Sequence, residues 1–343
     1  MSRFAHIADI HLSRYGSDKI EDDTNLPERL HSIKSALYEV AKYCIDNGIE
    51  ELVIGGDVLH GKSVIYAIAQ EIMLQYFEDF EDKLLFTVID GNHDLSGKGD
   101  DVVSALRPLA KVDNVKWVPY SEVYHRESDD VLFVPYSTKL PEIIREHKAN
   151  ILVSHFGLSE GILNSGLSII SDISLKDLIG RYKLVLLGHY HKPQEIIRSD
   201  IALYYSGSLI QLDWGEKNDL KRFLVIDTDT LDVQSVPIND YKKHIELEIK
   251  AGNIDEILAA AKKARDDGDH VKVIMREKVD LTGFKGEFNV VDKTEADITD
   301  RGITSSMSQE DKIKKYLEIK EIPEDQIELY MKEAFDIIQS CEV

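Results

Sequence analysis

The side chains of this sequence that could do chemistry are grouped in five short motifs. Each motif directly follows an apolar run that predicts a strand, and the motifs are Asp9-Ile10-His11, Gly55-Gly56-Asp57, Gly91-Asn92-His93-Asp94, Ser154-His155 and Gly188-His189-Tyr190-His191. Loops at the carboxyl ends of strands in an open α/β sheet converge on one crevice. We therefore expect these motifs, although scattered along the chain, to form a single site.

The residue types in the motifs favour a site for divalent cations. Aspartate, asparagine and histidine offer oxygen and imidazole ligands, which suit manganese, iron or zinc better than copper or a thiolate site. Two such ions about 3.5–4 Å apart can clamp a phosphodiester, activate water and offset the charge of the transition state. One carboxylate can bridge both ions, and Asp57 has the position for this role. The motifs predict a two-metal phosphoesterase.

Each motif alone is a weak signal, because short motifs match unrelated sequences freely. A single histidine is more often a core or surface residue than a ligand, and we interpret the histidines without such neighbours in that way: His6, His31, His125, His147, His244 and His270. All five motifs in order, each at the end of a predicted strand, leave coincidence little room.

The elements that must position these motifs are predicted by the hydrophobic pattern. Over residues 1–239, short apolar runs alternate with amphipathic helices, which is typical of an α/β layered fold. The clearest helix spans Glu28–Asn47, and others run from about Val64 to Phe80 and from about Leu140 to His147. The predicted strands are Phe4–Ala8, Leu52–Gly55, Leu84–Ile89, Val115–Val118, Val131–Val134, Ile151–Val153, Leu184–Leu187, Ile201–Tyr205, Phe223–Asp227 and Val233–Val236.

The pattern changes near Asn239. Residues 240–280 predict a small α/β capping domain, in which two strands flank one helix, and residues 281–307 are polar and resemble a linker. Residues 308–343 predict two helices, the second with an apolar stripe formed by Ile327, Tyr330, Met331, Ala334, Phe335 and Ile338. The expected organisation is a catalytic domain over residues 1–239, followed by these three segments.

Composition limits the classes of function. The formal net charge is −22, which argues against passive binding to nucleic acid because phosphate contacts need lysine and arginine. If the substrate is DNA, metal ions, a local basic patch or a partner subunit must help to hold it.

Two cysteines are too few for a disulfide framework or a thiolate metal site. The sequence contains neither an apolar run long enough to span a bilayer nor a signal peptide, so we expect a cytoplasmic protein without membrane contact.

At the motif residues the sequence resembles the calcineurin-type metallophosphoesterase superfamily, and within it the SbcD-type double-strand-break repair nucleases, especially the compact versions of large tailed bacteriophages. Asp57-Val58-Leu59-His60 resembles the Asp-X-X-His of that group. Gly207-Ser208, Glu216 and Lys221-Arg222-Phe223 resemble its post-catalytic segment. The resemblance is sharp through about Asp227 and architectural beyond it. It implies a layered sheet sandwich flanked by helices.

The resemblance also implies a role for each motif residue. One metal would be bound by Asp9, His11, Asp57 and His191, and the other by Asp57, Asn92, His155 and His189. His93 would stabilise the transition state or act as general acid, with Asp94 orienting it through a hydrogen bond. His60 would help to position the phosphate, unless it caps the following helix. Manganese is the metal expected for the family, and magnesium, iron and zinc remain open.

The function implied by the resemblance is that of a metal-dependent DNA nuclease, with exonuclease activity on duplex ends and endonuclease activity on single strands. It further implies a homodimer that pairs with an SbcC-type coiled-coil ATPase in a recombination and repair complex. The C-terminal helices would bind the base of that coiled coil through their apolar stripe, as a helix in a groove. The alternative for the stripe is packing on its own chain.

Three other functions are weighed against the nuclease. Protein phosphatases of the superfamily usually carry Gly-Asp-X-Val-Asp-Arg-Gly, whereas this chain has no arginine in Gly56-Asp57-Val58-Leu59-His60-Gly61-Lys62. A small-molecule phosphodiesterase fits the motifs but needs neither the capping domain nor the C-terminal helices. A non-catalytic scaffold protein would not need the complete set of ligands that this sequence retains.

Overall fold

The computed structural model describes residues 3–16, 18–22, 24–97, 102–119, 124–126, 130–168, 171–277, 279, 288–292, 307–320 and 322–341. The chain divides into two compact units, Met1–Lys243 and His244–Val343. No helix in the described part of the chain is both long and apolar enough to cross a bilayer.

The first unit contains four α-helices and two large sheets among its described residues. The helices are α1 (Glu28–Asp46), α2 (Ala67–Asp79), α3 (Leu140–Glu146) and α4 (Leu175–Leu178). The strands are β1 (Arg3–Ile7), β2 (Glu51–Ile54), β3 (Leu85–Ile89), β4 (Leu95–Ser96), β5 (Val103–Ser104), β6 (Val115–Val118), β7 (Tyr124–Arg126), β8 (Val131–Val134), β9 (Ile151–His155), β10 (Leu184–Gly188), β11 (Gln194–Arg198), β12 (Ile201–Tyr205), β13 (Arg222–Asp227) and β14 (Val233–Pro237).

Each large sheet has six strands and a parallel centre. The order is β14-β13-β1-β2-β3-β6 in the first sheet and β11-β12-β10-β9-β8-β7 in the second. Strands β1, β2, β3 and β6 run parallel, and so do β8, β9, β10 and β12. The carboxyl ends of each parallel set therefore lie at one edge of its sheet, and the sequence motifs follow these ends.

Three apolar clusters join these elements in layers. Side chains of both sheets pack against each other, among them Phe4 and Val53 from the first sheet and Phe133 and Val153 from the second. The other side of the first sheet packs on α1 and α2, and the other side of the second packs on α3 and α4. The predicted α/β sandwich flanked by helices is confirmed.

Helix α1 forms where the sequence predicts it, because its apolar residues recur on one face. Its buried side chains include Leu30, Ile33, Leu37, Val40 and Cys44. Burying an aliphatic side chain of this kind contributes about 1.5–3 kcal/mol each, so the stripe fixes the helix on the sheet. Cys44, which lies in this stripe, is free and buried.

Some elements differ from the sequence-based expectation. Helix α2 begins at Ala67 rather than near Val64. Val64 and Ile65 are β-branched and exposed, so neither intrinsic propensity nor burial favours a helix there. The sequence does not predict strand β11, because its own apolar pattern is weak. In the structure it forms by antiparallel pairing with β12 across a turn.

The second unit is built on a parallel three-stranded sheet in the order β15-β16-β17. Its described elements are β15 (His244–Ile249), α5 (Ile254–Asp266), β16 (His270–Met275), β17 (Asn289–Asp292), α6 (Gln309–Ile319) and α7 (Glu324–Cys341). Buried residues of α5 pack with Ile249 and Val273 of the sheet. Strand β17 lies inside the segment interpreted as a linker, most of which falls outside the described residues.

Candidate metal centre

The site residues follow strand ends of both large sheets. In the first sheet, β1 leads to Asp9 and His11, β2 to Asp57, and β3 to Asn92, His93 and Asp94. In the second sheet, β9 ends at His155, and β10 leads to His189 and His191. Hydrogen bonds join the two groups: the amide of His189 donates to both Asp9 oxygens at 2.9 and 3.0 Å. The structure thus brings all five motifs together.

The backbone of these loops is held in an uncommon conformation. Four residues other than glycine have positive φ angles at the site, namely Asp9 (54°), His11 (53°), Asp57 (53°) and His189 (102°). Such angles cost energy and persist only where the surroundings enforce them, which is common at functional sites. Here the first two loops bond to each other, Asp9 N to Gly56 O at 3.1 Å and His11 N to Asp57 O at 2.9 Å.

Two glycines leave room for His155, which is fully buried. A Cβ atom at Gly56 or at Gly188 would lie 2.6 Å from its Nδ1 atom. Gly56 also has a φ of 92°, which side chains rarely adopt. With the glycines in place, His155 Nδ1 donates to the carbonyl oxygen of Gly55 at 2.8 Å. This bond fixes the ring proton and directs Nε2 into the site.

One cluster of donor atoms surrounds His11. Its Nε2 atom lies 2.9 Å from Nε2 of His191 and 3.6 Å from Oδ2 of Asp57. Ligand atoms of Asp9, His11 and His191 lie within 4.8 Å of one another. Asp9, His11 and Asp57 are at most 2% exposed. These four side chains could hold one cation.

A second cluster shares Asp57 with the first. His155 Nε2 lies 3.3 Å from Asp57 Oδ2 and 3.1 Å from Asn92 Oδ1. The same Asn92 oxygen lies 3.1 Å from Nδ1 of His189. Because the Asp57 carboxylate contacts histidines of both clusters, it is the side chain that could bridge two cations.

Asp94 has a different set of contacts from the one expected. Its carboxylate accepts hydrogen bonds from the backbone amides of Leu59 and Gly91, both at 2.9 Å, and of Val58 at 3.3 Å. The bond expected from Asp94 to His93 is replaced, since His93 Nδ1 donates to the carbonyl oxygen of His60 at 2.8 Å. Asp94 therefore holds the loops after β2 and β3 together rather than the histidine ring.

His60 and His93 stand beside the first cluster. Their rings are stacked with centroids 5.3 Å apart, and His60 Nδ1 lies 3.2 Å from His11 Nδ1. The backbone amide of His93 donates to Asp57 Oδ1 at 2.7 Å. Both rings lie within reach of a group bound at the clusters.

Burial and neighbouring charges shift the pKa values of the site in opposite directions. Burial would lower the pKa of His155, but the charge and hydrogen bond of Asp57 raise it to about 9. Burial would raise the pKa of Asp57, but His155 and His11 hold it well below its usual range. Burial lowers the pKa of His189 to about 3, which keeps its imidazole neutral. A neutral imidazole is the form that binds metals.

The donor set fits divalent cations. Carboxylate, amide and imidazole donors meet in a buried space, and such mixed sets suit manganese, iron or zinc. Buried carboxylates also require positive charge nearby, because an unpaired ion is costly to bury. A cation held between Asp9 and Asp57 would supply such a charge.

Sequence reasoning assigned no role to Glu216 or Lys221. The structure places Glu216 behind the first cluster, where its Oε1 accepts from Nδ1 of His191 at 3.0 Å. Lys221 Nζ lies 2.7 Å from the other Glu216 oxygen. Both residues lie in the segment that resembles the post-catalytic segment of the family. Their pairing was not predicted, because acidic and basic side chains are usually exposed.

Comparison with known proteins identifies the family of the chain. A family model described as calcineurin-like phosphoesterase matches residues 2–193. The chain is 25% identical to "Exonuclease subunit 1" of Enterobacteria phage T4 over 64% of either chain. It is 21% identical to "DNA double-strand break repair protein Mre11" of Archaeoglobus fulgidus over 64% of this chain and 53% of the relative.

A third relative is a subunit of the nuclease SbcCD of Staphylococcus epidermidis. The chain is 25% identical to it over 37% of this chain and 34% of the relative. The matched part is thus less than two thirds of the length of each of these curated relatives. The relatives agree with the resemblance drawn from the sequence motifs.

Proposed function

Because the chain belongs to the calcineurin-like phosphoesterase family, whose members use divalent metals, we propose that it is a two-metal nuclease that hydrolyses phosphodiester bonds of DNA. The observation that carries the proposal is the Asp57 carboxylate, which contacts a histidine of each donor cluster. One ion would be held by Asp9, His11, Asp57 and His191, and the other by Asp57, Asn92, His155 and His189. Manganese is the proposed metal.

Two bound cations would supply Lewis-acid polarisation of the phosphate and a nucleophilic water at neutral pH. His93 is proposed to transfer a proton to the leaving oxygen. The carbonyl oxygen of His60 holds a proton on His93 Nδ1, so Nε2 is the nitrogen that exchanges a proton with the substrate. His11 Nε2 faces the first cluster, so its Nδ1 would donate to His60 Nδ1. The proton of His60 is then on Nε2, which can donate to a phosphate oxygen.

DNA is favoured as the substrate by two observations. The names of the three relatives describe an exonuclease, a double-strand break repair protein and a nuclease. The position after Asp57-Val58-Leu59 holds a histidine, and the arginine typical of protein phosphatases is missing from this segment. We propose exonuclease activity on duplex ends and endonuclease activity on single strands, within a recombination and repair complex.

The test is cleavage of linear duplex and single-stranded DNA by the purified chain with manganese. We expect both to be cut, and a chelator should stop the reaction. Hydrolysis of small chromogenic phosphodiesters without cleavage of DNA would favour a small-molecule phosphodiesterase. Absence of hydrolysis with manganese, magnesium, iron or zinc would favour a non-catalytic scaffold.

The proposed complex also contains a second copy of this chain and an SbcC-type ATPase, and helices α6 and α7 are the proposed contact for the ATPase. Several of their large apolar side chains are exposed, among them Tyr316, Ile319, Leu329 and Tyr330. Ile322, Ile327 and Met331 line a groove between the helices, of about 610 Å³. Exposed apolar surface of this kind is typical of helix-in-groove binding.

A chain that ends at residue 302 is expected to lose the ATPase while it keeps metal-dependent cleavage, because the proposed ligands all precede residue 192. The measurement is co-purification with the tagged ATPase, beside a cleavage assay on single-stranded DNA. The double variant Tyr330→Glu with Met331→Glu, which changes two residues of the apolar stripe, should reproduce the loss without shortening the chain. Retained binding by the truncated chain would contradict the assignment of these helices.

A further inference from the structure

A buried ion pair lies directly behind His191. Glu216 is 3% exposed, and its carboxylate accepts hydrogen bonds from His191 Nδ1 at 3.0 Å, Ser208 Oγ at 2.8 Å and Leu212 N at 3.1 Å. The same carboxylate lies 2.7 Å from Nζ of Lys221. These partners all belong to the first unit, and one of them is a proposed metal ligand.

Lys221 is 1% exposed and contacts the same histidine at a second point. Its Nζ donates to the carbonyl oxygen of His191 at 3.0 Å and to Ser208 Oγ at 2.8 Å. It also lies 3.3 Å from Asp219 Oδ2. The pair therefore holds both the ring and the backbone of His191. Burying two charges is costly and is weak evidence for stability alone, so a role at the site is the better explanation.

The chemistry of this contact acts on the ring nitrogen that faces the clusters. A carboxylate that accepts from one nitrogen of an imidazole fixes the tautomer and makes the other nitrogen a stronger ligand. In His191 the other nitrogen is Nε2, which lies 2.9 Å from Nε2 of His11. Glu216 thus strengthens a ligand of the first cluster only.

The second cluster has a weaker arrangement. The outer nitrogen of His155 donates to the carbonyl oxygen of Gly55, which is neutral. Its other two members are Asn92, a neutral amide, and His189, whose Nδ1 contacts that amide. Asp57 is shared, so it does not distinguish the clusters. The two clusters therefore differ in ligand strength.

We propose that Glu216 and Lys221 are positioning residues that make the His191 cluster the tighter of two cation sites, so that the ions bind in sequence. This inference rests on the two-metal function proposed above. The first ion would bind at Asp9, His11, Asp57 and His191, and the second would join at lower affinity beside Asn92, His155 and His189.

The test is a manganese titration without DNA, in which free manganese is followed by its electron paramagnetic resonance signal. Wild-type protein should show one tight and one weaker class of site. The double variant Glu216→Gln with Lys221→Met should lose about 10–100-fold in affinity at the tight class and keep the weak class. The matched control is Glu248→Gln, which removes a charge paired with Arg276 and Lys250 on the second unit.

The double variant is used because Glu216→Gln alone leaves Lys221 buried without the Glu216 carboxylate, and loss of one partner of a buried ion pair destabilises the fold. Removing both charges leaves neither Glu216 nor Lys221 as a buried ion, and Asp219, which loses Lys221, keeps the hydrogen bond from Asn164 Nδ2 at 2.7 Å. Thermal unfolding close to wild type is therefore expected. Wild-type affinity in the double variant, or two equal classes in the wild type, would overturn the proposal. A double variant that does not fold would show a structural role and overturn it too.

The same titration separates this inference from the proposed function. Stepwise manganese binding without cleavage of DNA would reject the proposed substrate and leave the positioning role standing. A wild-type chain that binds no manganese at all would remove both.

Discussion

Asp57→Asn is expected to reduce manganese-dependent cleavage of DNA about a thousandfold or more. Two bound ions supply several kcal/mol of transition-state stabilisation, and each 1.36 kcal/mol is worth a factor of ten in rate. Asp57 contacts His11 and His155 with one oxygen and the His93 amide with the other. The neutral amide keeps the shape and hydrogen-bond acceptor but removes the negative charge proposed to bridge the ions.

Asparagine is the sharpest substitution at this position. The φ angle of residue 57 is 53°, and asparagine is among the residues that adopt such angles most readily. Loss of activity would therefore not come from backbone strain. Single-turnover cleavage of an end-labelled duplex measures the effect, beside a manganese titration that should find fewer ions bound.

The matched control is Asp46→Asn, which makes the same chemical change at an exposed residue at the end of α1. We expect it to cleave at the wild-type rate. If Asp57→Asn keeps activity within tenfold of wild type, a bridging carboxylate is not part of this mechanism.

His93→Gln is expected to lower kcat by about 10²–10⁴-fold, the range of one general acid, while both ions remain bound. The reason is that His93 Nδ1 is engaged by the His60 carbonyl oxygen, and its ring is proposed as a proton donor rather than a ligand. A phosphodiester with a nitrophenolate leaving group needs less protonation. The loss on that substrate should therefore be much smaller than the loss on DNA.

His147→Gln serves as the control, because His147 directly follows α3 and its Nδ1 donates to Ile143 O of that helix at 2.9 Å. Equal losses on DNA and on the activated phosphodiester would argue against general-acid catalysis by His93. Loss of bound manganese in the His93→Gln variant would show that His93 is a metal ligand instead.

The sequence predicted which residues would meet because their positions depend on topology alone. Asp9 and Asn92 follow parallel strands of one sheet, and parallel strands end at a common edge. His189 follows a strand of the second sheet, which the layered fold packs against the first. In the structure Asp9 and Asn92 both contact His189. The recurrence of apolar residues every three or four positions likewise predicted α1 to within its last turn. These features need only the periodicity and order of the chain.

The hydrogen bonds around the site were not predictable in the same way. Asp94 was expected to orient His93, yet it bonds to the amides of Leu59 and Gly91. Which partner a loop carboxylate finds depends on backbone angles that no pattern of residue types encodes. The contact of Glu216 and Lys221 with His191 was not predicted for a related reason: their burial depends on how the segment after Gly207 folds onto His191.

The proposed ligand side chains come from two sheets that otherwise meet mainly through apolar contacts. Asp9, Asp57 and Asn92 belong to one sheet and His155, His189 and His191 to the other. A bound pair of ions would therefore cross-link the two sheets. The sheets could separate only after the ions had dissociated. By mass action, such binding raises the free energy of unfolding with the concentration of free metal. The proposed metal centre would then also stabilise the packing of one sheet on the other.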